Sequence, residues 1–376
     1  MRLLHTSDWH IGIQLEWHDF LPAQREFGNW LVDFVAKEDV DVVLVSGDIY
    51  DRSNPSSEAV DLAGSIFTKL ISAGVTVVVT SGNHDSAEKM NFCSEAMVAA
   101  GLYIRTEKRN LADIGEPIVI SRDGQEVTII PIPFLDPARV TEIGSAERSH
   151  GGVIKGVLDA RLCQVRDLSK TIVMSHAFVR GGTESESEKV IIGGTARVAI
   201  DIFGDVGYVA LGHLHKPQQI VKNQIYYSGS PLQYSFSEQH PKSVRLIEVG
   251  QRIESKEVLV PVGPQVMTLE DTLDNLVQDS KYAIYEGHLL RAILTDPVPQ
   301  LNAKEYLLKR FPNLQSVKHG SLQSSGASIA SSELKKLSHS ETVQQYLKAV
   351  HSDVITDEIQ AFINESIQLA ERKENE

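Results

Sequence analysis

Cysteine is almost missing. The 376 residues contain two, Cys93 and Cys163, far apart and without metal-type spacing. The spacing argues against a disulfide framework and a thiolate zinc site, and a reducing compartment is expected. No apolar run approaches the length that crosses a bilayer, and the opening MRLLHTSDWH holds too short an apolar stretch for a secretory leader. The expected location is the cytoplasm, with no membrane partner. Basic charge is also in deficit: 36 Lys and Arg face 50 Asp and Glu, a net charge of −14. A chain of that sign binds phosphate backbones poorly by itself, so the charge implies a basic partner, a local basic patch or a substrate that is not nucleic acid. No P-loop (GxxxxGK followed by Ser or Thr) occurs, so any dependence on ATP must come from another chain. No repeat period is evident.

What is there is ordinary globular composition, 42% hydrophobic and 23% charged, in a chain too long for one core. Two or three domains are expected. The stretch VVLVSGDIYD, Val42 to Asp51, organises the rest. It reads as a buried strand of a parallel sheet that ends abruptly in Ser-Gly-Asp. Asp48 then stands at the carboxyl edge of the sheet, where open α/β folds place ligands. Its two oxygens allow it to bridge two cations.

Strands and helical segments alternate through the first hundred residues. Strands are expected at Arg2–Thr6, Val40–Ser46 and Val75–Thr80. Helices are expected at Pro22–Glu38, with apolar residues at Phe27, Trp30, Leu31, Phe34 and Val35, and at Ser56–Ala73, closed by Gly74. The pattern implies a mainly parallel sheet with right-handed crossovers. Two strands around Asp123-Gly124 form an expected hairpin. A helix at Gly151–Val165 and strands at Thr171–Ser175 and Tyr208–Leu211 follow. Gln219–Tyr227, Ser243–Val249 and Lys256–Val262 read as antiparallel strands of a second sheet. After Pro264 the expected units are a helix at Thr268–Val277 capped by Thr268, a strand at Leu289–Leu294, a helix at Ala303–Arg310 and a strand at Leu314–His319. GSLQSSGASIASS has linker composition. Two amphipathic helices close the chain and favour a binding role for a partner.

Five strand ends carry metal-ligand residue types: Asp8 and His10, Asp48, Asn83 and His84, His176, then His213 and His215. In Asp-x-His and His-x-His, extended residues two apart face one side. Imidazole and carboxylate donors suit manganese, iron or zinc, and there are too many donors for one ion. Two ions about 3.5–4 Å apart, bridged by a carboxylate, form the usual clamp for phosphoester hydrolysis. Single residues of these types more often cap or face solvent; the set is what carries the reading. Asp85 reads as a turn residue or one that supports the ligands from behind, rather than as a ligand. Trp9 and Trp17 read as packing residues rather than base-stacking ones, and the Arg180–Arg197 loop offers Arg180, Lys189 and Arg197 to DNA or to nothing. His5, His18, His150, His240, His288, His319, His339 and His351 have no partner motif.

In this order, DWH, GDIYD, GNHD, the lone SH and GHLH resemble the calcineurin-like metallophosphoesterases. SDWHIG, SGDIYDRSNPS, TSGNHDS, VALGHLHKPQ and YSGSPLQYSF look like the SbcD family, nuclease subunits of bacterial DNA repair complexes. The resemblance implies a four-layer α-β-β-α sandwich over residues 1–263, a small α+β capping domain over 264–319, a flexible linker over 320–332 and partner-binding helices over 333–376. It implies one metal on Asp8, His10 and His215 and a second on Asn83, His176 and His213, with Asp48 shared. His84 resembles the family's catalytic histidine that is not a ligand, with Asp51 orienting it; some branches have His at that position. The cofactor implied is two divalent ions, Mn(II) foremost. The activity implied is 3'–5' exonuclease on duplex ends and endonuclease on single-stranded or hairpin DNA. The partner implied is an SbcC-like ATPase, bound through the terminal helices, in a heterotetramer built on a homodimer. The alternative is a phosphatase or phosphodiesterase acting on phosphoproteins or small molecules. Ser53 after Asp51-Arg52, Asp85 after the GNH, and the lack of Tyr at position 51 count against it.

Overall fold

The computed structural model describes residues 1–140, 147–185, 188, 197–298 and 300–320. In chain order the strands and helices are β1 (Arg2–Thr6), β2 (Gln14–Leu15), β3 (His18–Asp19), α1 (Leu21–Lys37), β4 (Val42–Ser46), α2 (Ser57–Ser72), β5 (Thr76–Thr80), α3 (Ala87–Met90), α4 (Ser94–Met97), β6 (Leu102–Arg105), β7 (Ile118–Arg122), β8 (Gln125–Ile132) and α5 (His150–Leu162). They continue with β9 (Thr171–His176), β10 (Tyr208–Gly212), β11 (Gln218–Val221), β12 (Ile225–Tyr227), β13 (Ser243–Val249), β14 (Ile253–Leu259), β15 (Val266–Asp271), α6 (Leu273–Gln278), β16 (Leu289–Leu294), α7 (Ala303–Arg310) and β17 (Leu314–His319). Two compact units result, Met1–Met267 and the part from Thr268 onward.

The first unit is built on two six-stranded sheets, ordered β14-β13-β1-β4-β5-β6 and β11-β12-β10-β9-β8-β7. Leu3, Val42, Leu44 and Val78 of one sheet meet Ile129, Ile172, Met174 and Ala210 of the other in a shared core. A sheet covered on both faces needs apolar side chains on both, which is why VVLVS of β4 is buried at every position. The far face of the second sheet packs Ile130, Val173 and Val209 against Val153, Ile154 and Val157 of α5. Helices α1 and α2 supply the remaining layer: Phe27, Leu31 and Val35, with Leu62, Ile66 and Leu70, are buried. Ser56 caps α2, its hydroxyl accepting from the Ala59 N–H, and Gly74 follows the helix at φ +82°. The first unit is thus a four-layer α-β-β-α sandwich.

Three expectations change. Gln219–Tyr227 is a hairpin, and its second strand, β12, runs parallel to β10. Ser243–Val249 does not join that sheet; β13 returns to pair antiparallel with β1, and β14 extends the first sheet. The helix expected at Thr268–Val277 is the strand β15 followed by a shorter helix capped by Thr272, whose side chain accepts from the Asn275 N–H. The strand β6 had no counterpart among the expected elements. In the second unit, β15, β16 and β17 form a three-stranded sheet accompanied by α6 and α7. Apart from Gly320, the expected linker and terminal helices lie outside the described residues. Among the described residues no helix is long and apolar enough to cross a membrane.

His5 is fully buried in β1, its ring 3.1 Å from both the Tyr208 hydroxyl and the Leu211 carbonyl oxygen. Burial, with the Arg245 charge adding, pushes its pKa from 6.5 to about 3. Below pH 6.5 the unfolded chain takes up a proton that the folded chain refuses, so this stabilising term is lost as pH falls. Between pH 7 and pH 5 the loss is roughly 2 kcal/mol. Denaturant midpoints of wild type and His5→Phe should therefore converge on acidification; parallel profiles would contradict the assignment.

Candidate metal centre

Because β1, β4 and β5 are parallel in one sheet and β9 and β10 in the other, their carboxyl ends share an edge of the sandwich. Ser46, last residue of β4, ties the sheets there. Its hydroxyl donates to the Ala210 carbonyl oxygen at 3.0 Å, and its own carbonyl accepts from Nδ1 of His176 at 2.9 Å. The approach needs glycine on both sides. A Cβ on Gly212 would overlap the Ser46 carbonyl oxygen, and one on Gly47 would overlap the His176 ring.

The residues just past these ends are held in unusual backbone conformations. Asp8, His10, Asp48 and His213 all have positive φ, 53°, 43°, 51° and 105°. Each non-glycine residue there costs of order 1–3 kcal/mol, tolerated only where surroundings over-determine it. The Asp8 carboxylate accepts from the His213 N–H at 2.9 Å, and the Asp48 carboxylate from the His84 N–H at 2.9 Å. The Asp85 carboxylate accepts from the N–H groups of Ile49, Tyr50 and Gly82, pinning the two loops that carry Asp48 and His84. That is a supporting role, one of the two expected for Asp85.

The polar tips converge. Oδ2 of Asp48 lies 3.5 Å from Nε2 of His10 and 3.4 Å from Nε2 of His176. The amide oxygen of Asn83 lies 3.0 Å from Nε2 of His176 and 3.1 Å from Nδ1 of His213. Nε2 of His215 faces Nε2 of His10 at 3.0 Å. The Nδ1 of His215 is held 3.0 Å from Oε1 of Glu238, which leaves its Nε2 facing His10; against burial, that carboxylate raises the imidazole's pKa. Facing ring nitrogens, carboxylates and an amide oxygen aimed at common points form a donor set suited to cations. Three groups have donor atoms close enough for one ion: Asp8, His10 and His215; His10, Asp48 and His84; Asp8, Asp48 and His176.

Charges inside the cluster are already sorted. Burial, with the neighbouring imidazoles adding, keeps His10 well below the usual imidazole range and takes His213 to about 3. His176 is equally buried, yet the carboxylates of Asp48 and Asp8 outweigh that and raise it to about 9. Burial works against the ionised Asp48 too, but His176 and His10 hold it well below the ordinary carboxylate range. Burial raises Asp8 to about 6.

A family model for calcineurin-like phosphoesterases matches residues 1–217. The SbcD component of the SbcCD nuclease of Staphylococcus saprophyticus is 31% identical over 325 residues, 83% of each chain. Its counterpart in Staphylococcus epidermidis is 31% identical over 286 residues, 74% of this chain and 75% of that one. This chain belongs to the calcineurin-like phosphoesterases, and among them to the SbcD-type nuclease subunits. A dimetal phosphatase from Danio rerio has a TM-score of 0.41 at 12% identity, over 68% of this chain and 95% of that one. Members of the phosphoesterase family are metal-dependent hydrolases, and the donor set here can hold two divalent ions.

The structure of this SbcD-type chain brings Asp8, His10, Asp48, Asn83, His84, His176, His213 and His215 to one place. All but Asn83 are buried. Asp51 is there in a different way from the one expected. Nδ1 of His84 donates to the main-chain oxygen of Asp51 at 2.7 Å, a contact any residue could make. The Asp51 carboxylate turns instead toward Nδ1 of His10, 3.8 Å away, and toward Arg52. Trp9 is buried, as expected, but Trp17 is 82% exposed on the turn between β2 and β3. Arg197 stacks over the Phe178 ring and Arg180 is exposed, while Lys189 lies outside the described residues. Glu238 and its buried ion-pair partner Lys242 were missed. They stand just beyond the last family motif, and no periodicity marks them.

Proposed function

We propose that this chain is the nuclease subunit of an SbcC–SbcD-type complex that hydrolyses DNA phosphodiesters with two divalent ions, manganese foremost. One observation carries the reading: an intact two-ion donor set in a chain 31% identical over 83% of its length to a named SbcCD nuclease component. One ion would sit on Asp8, His10 and His215, the other on Asn83, His176 and His213, with Asp48 between. Bound there, the ions supply positive charge against the phosphate oxygens and an acidified water. The chain supplies the rest. Asp48 and the Asp8–His213 backbone contact fix the spacing of the two positions. His84, its Nδ1 proton anchored on the Asp51 carbonyl, presents Nε2 to the leaving oxygen and in its charged form protonates it.

The net charge of −14 is then met by the partner: a basic ATPase subunit brings DNA affinity and ATP dependence, and residues 333–376 are the segment it binds. A homodimer through the faces near Glu26 and Ser65 completes a heterotetramer. Manganese-dependent digestion of end-labelled duplex and hairpin DNA tests the activity, with 3'–5' polarity and hairpin opening expected. Rapid hydrolysis of a phosphoprotein or a cyclic nucleotide, with DNA untouched, would overturn it. Deleting residues 321–376 should abolish capture by the ATPase subunit and spare manganese-dependent cutting; retained capture would refute the docking role.

A further inference from the structure

The two donor sets are not backed alike. His215 is held from behind by a carboxylate: Glu238 is fully buried, and its Oε1 lies 3.0 Å from Nδ1. The other oxygen of Glu238 is fixed by the Lys242 ammonium, by the Tyr234 N–H at 3.2 Å and by the Ser230 hydroxyl at 3.3 Å. Lys242 also donates to the His215 carbonyl oxygen at 3.0 Å, so one buried ammonium locks both the imidazole's backbone and its acceptor. His10 has a second carboxylate behind it. Its buried Nδ1 has no hydrogen-bond partner, and Oδ1 of Asp51 stands 3.8 Å off, within reach of a small side-chain rotation. Both imidazoles of this set thus have an anion behind the nitrogen that points away from the metal position. The same set also contains the anionic Asp8.

The hydrogen-bond partners of the other set are neutral. His176 is backed by the Ser46 carbonyl oxygen, and the third donor is the amide of Asn83, which touches both His176 and His213. Oδ1 of Asp8 comes within 4.0 Å of Nδ1 of His176, but it belongs to the first set. Asp48 is shared and favours neither. A carboxylate behind a ligating imidazole fixes its tautomer and orientation and raises its basicity, typically for 10–100-fold in metal affinity.

We propose that the two ion positions are unequal by construction: Glu238 and Asp51 are positioning residues that make the Asp8–His10–His215 position tight, and the Asn83–His176–His213 position is the weak, exchangeable one. This rests on the two-ion reading above. It implies an enzyme that keeps one ion and acquires the second as divalent cation rises.

Titration of metal-free full-length protein with Mn(II), read by the paramagnetic resonance of free ion and by calorimetry, should give two resolved steps. Glu238→Gln should weaken the tight step roughly 10- to 100-fold and leave the weak step within about twofold. Asp51→Asn, at a partly exposed position, should act on the same step to a smaller extent, and Asn83→Ala on the other step alone. If Glu238→Gln fails to fold because Lys242 loses its counter-charge, the pair Glu238→Gln with Lys242→Met removes that charge, and Asp51→Asn still carries the test. Two equal steps in the wild type, or a Glu238→Gln effect on the weak step, would overturn the proposal and leave the two-ion reading standing. Fewer than two ions at saturation would overturn both.

Discussion

Asp48→Asn should leave the protein with at most one bound ion and lower phosphodiester hydrolysis by about 10³-fold or more. The reason lies in how the two oxygens are divided. Oδ1 accepts the His84 N–H, and an asparagine oxygen can keep that bond. Oδ2 lies within 3.5 Å of Nε2 atoms from both sets, His10 on one side and His176 on the other. An amide NH₂ in that place presents hydrogens where a cation must approach, and it removes the negative charge both positions share. Losing the charge-neutralising ion costs several kcal/mol of transition-state stabilisation, and each 1.36 kcal/mol is tenfold in rate. The backbone bond retained by Oδ1 protects the loop, so the loss should appear in metal content by elemental analysis, with the circular dichroism spectrum unchanged. A variant that holds two ions and more than a tenth of the rate would show that Asp48 is not the bridge.

Why this aspartate could be picked out from the sequence, and Glu238 could not, is a matter of spacing. The donors at β1, β4, β5, β9 and β10 each sit within a few residues of a strand end, and a buried parallel strand announces its own end by losing apolar residues. Parallel strands place all their carboxyl ends on one edge, so locating the ends located the cluster of Asp, His and Asn side chains. The contacts behind the donors are set by tertiary approach. Glu238 lies 23 residues after the histidine it supports, in a segment with no regular element. The Asp51 carbonyl that holds His84 leaves no mark in a side-chain pattern. The sheet assignments failed for a related reason. Strand β13 alternates in a way compatible with either sheet, and only its long-range pairing with β1 decides between them. In VMTLEDTLDNL two threonines can each cap a helix; the strand pairing of β15 takes the first and leaves Thr272 as the cap. The positive φ of Asp8, His10, Asp48 and His213 was likewise invisible, since those residue types do not announce left-handed backbone as glycine does.

His84→Gln should behave differently from Asp48→Asn, and the contrast separates a proton donor from a ligand. The His84 ring lies close enough to His10 and Asp48 to count as a third donor to one ion. Its Nδ1, however, is committed to the Asp51 carbonyl, and the two donor sets proposed above do without it. If it acts on the leaving oxygen, glutamine should leave two ions bound and cost about 10²–10⁴-fold on DNA, the range for a positioned general acid. The loss must then depend on the leaving group. A DNA sugar oxygen departs as a strongly basic alkoxide and needs the proton; nitrophenolate does not. With a nitrophenyl ester of a nucleotide as substrate, the same variant should lose less than about tenfold. Equal losses on both substrates would assign His84 to charge stabilisation on the phosphate instead. Loss of one ion on substitution would make it a ligand. Because the backbone N–H of His84 still reaches Asp48 in the glutamine variant, none of these outcomes can be put down to a displaced bridge.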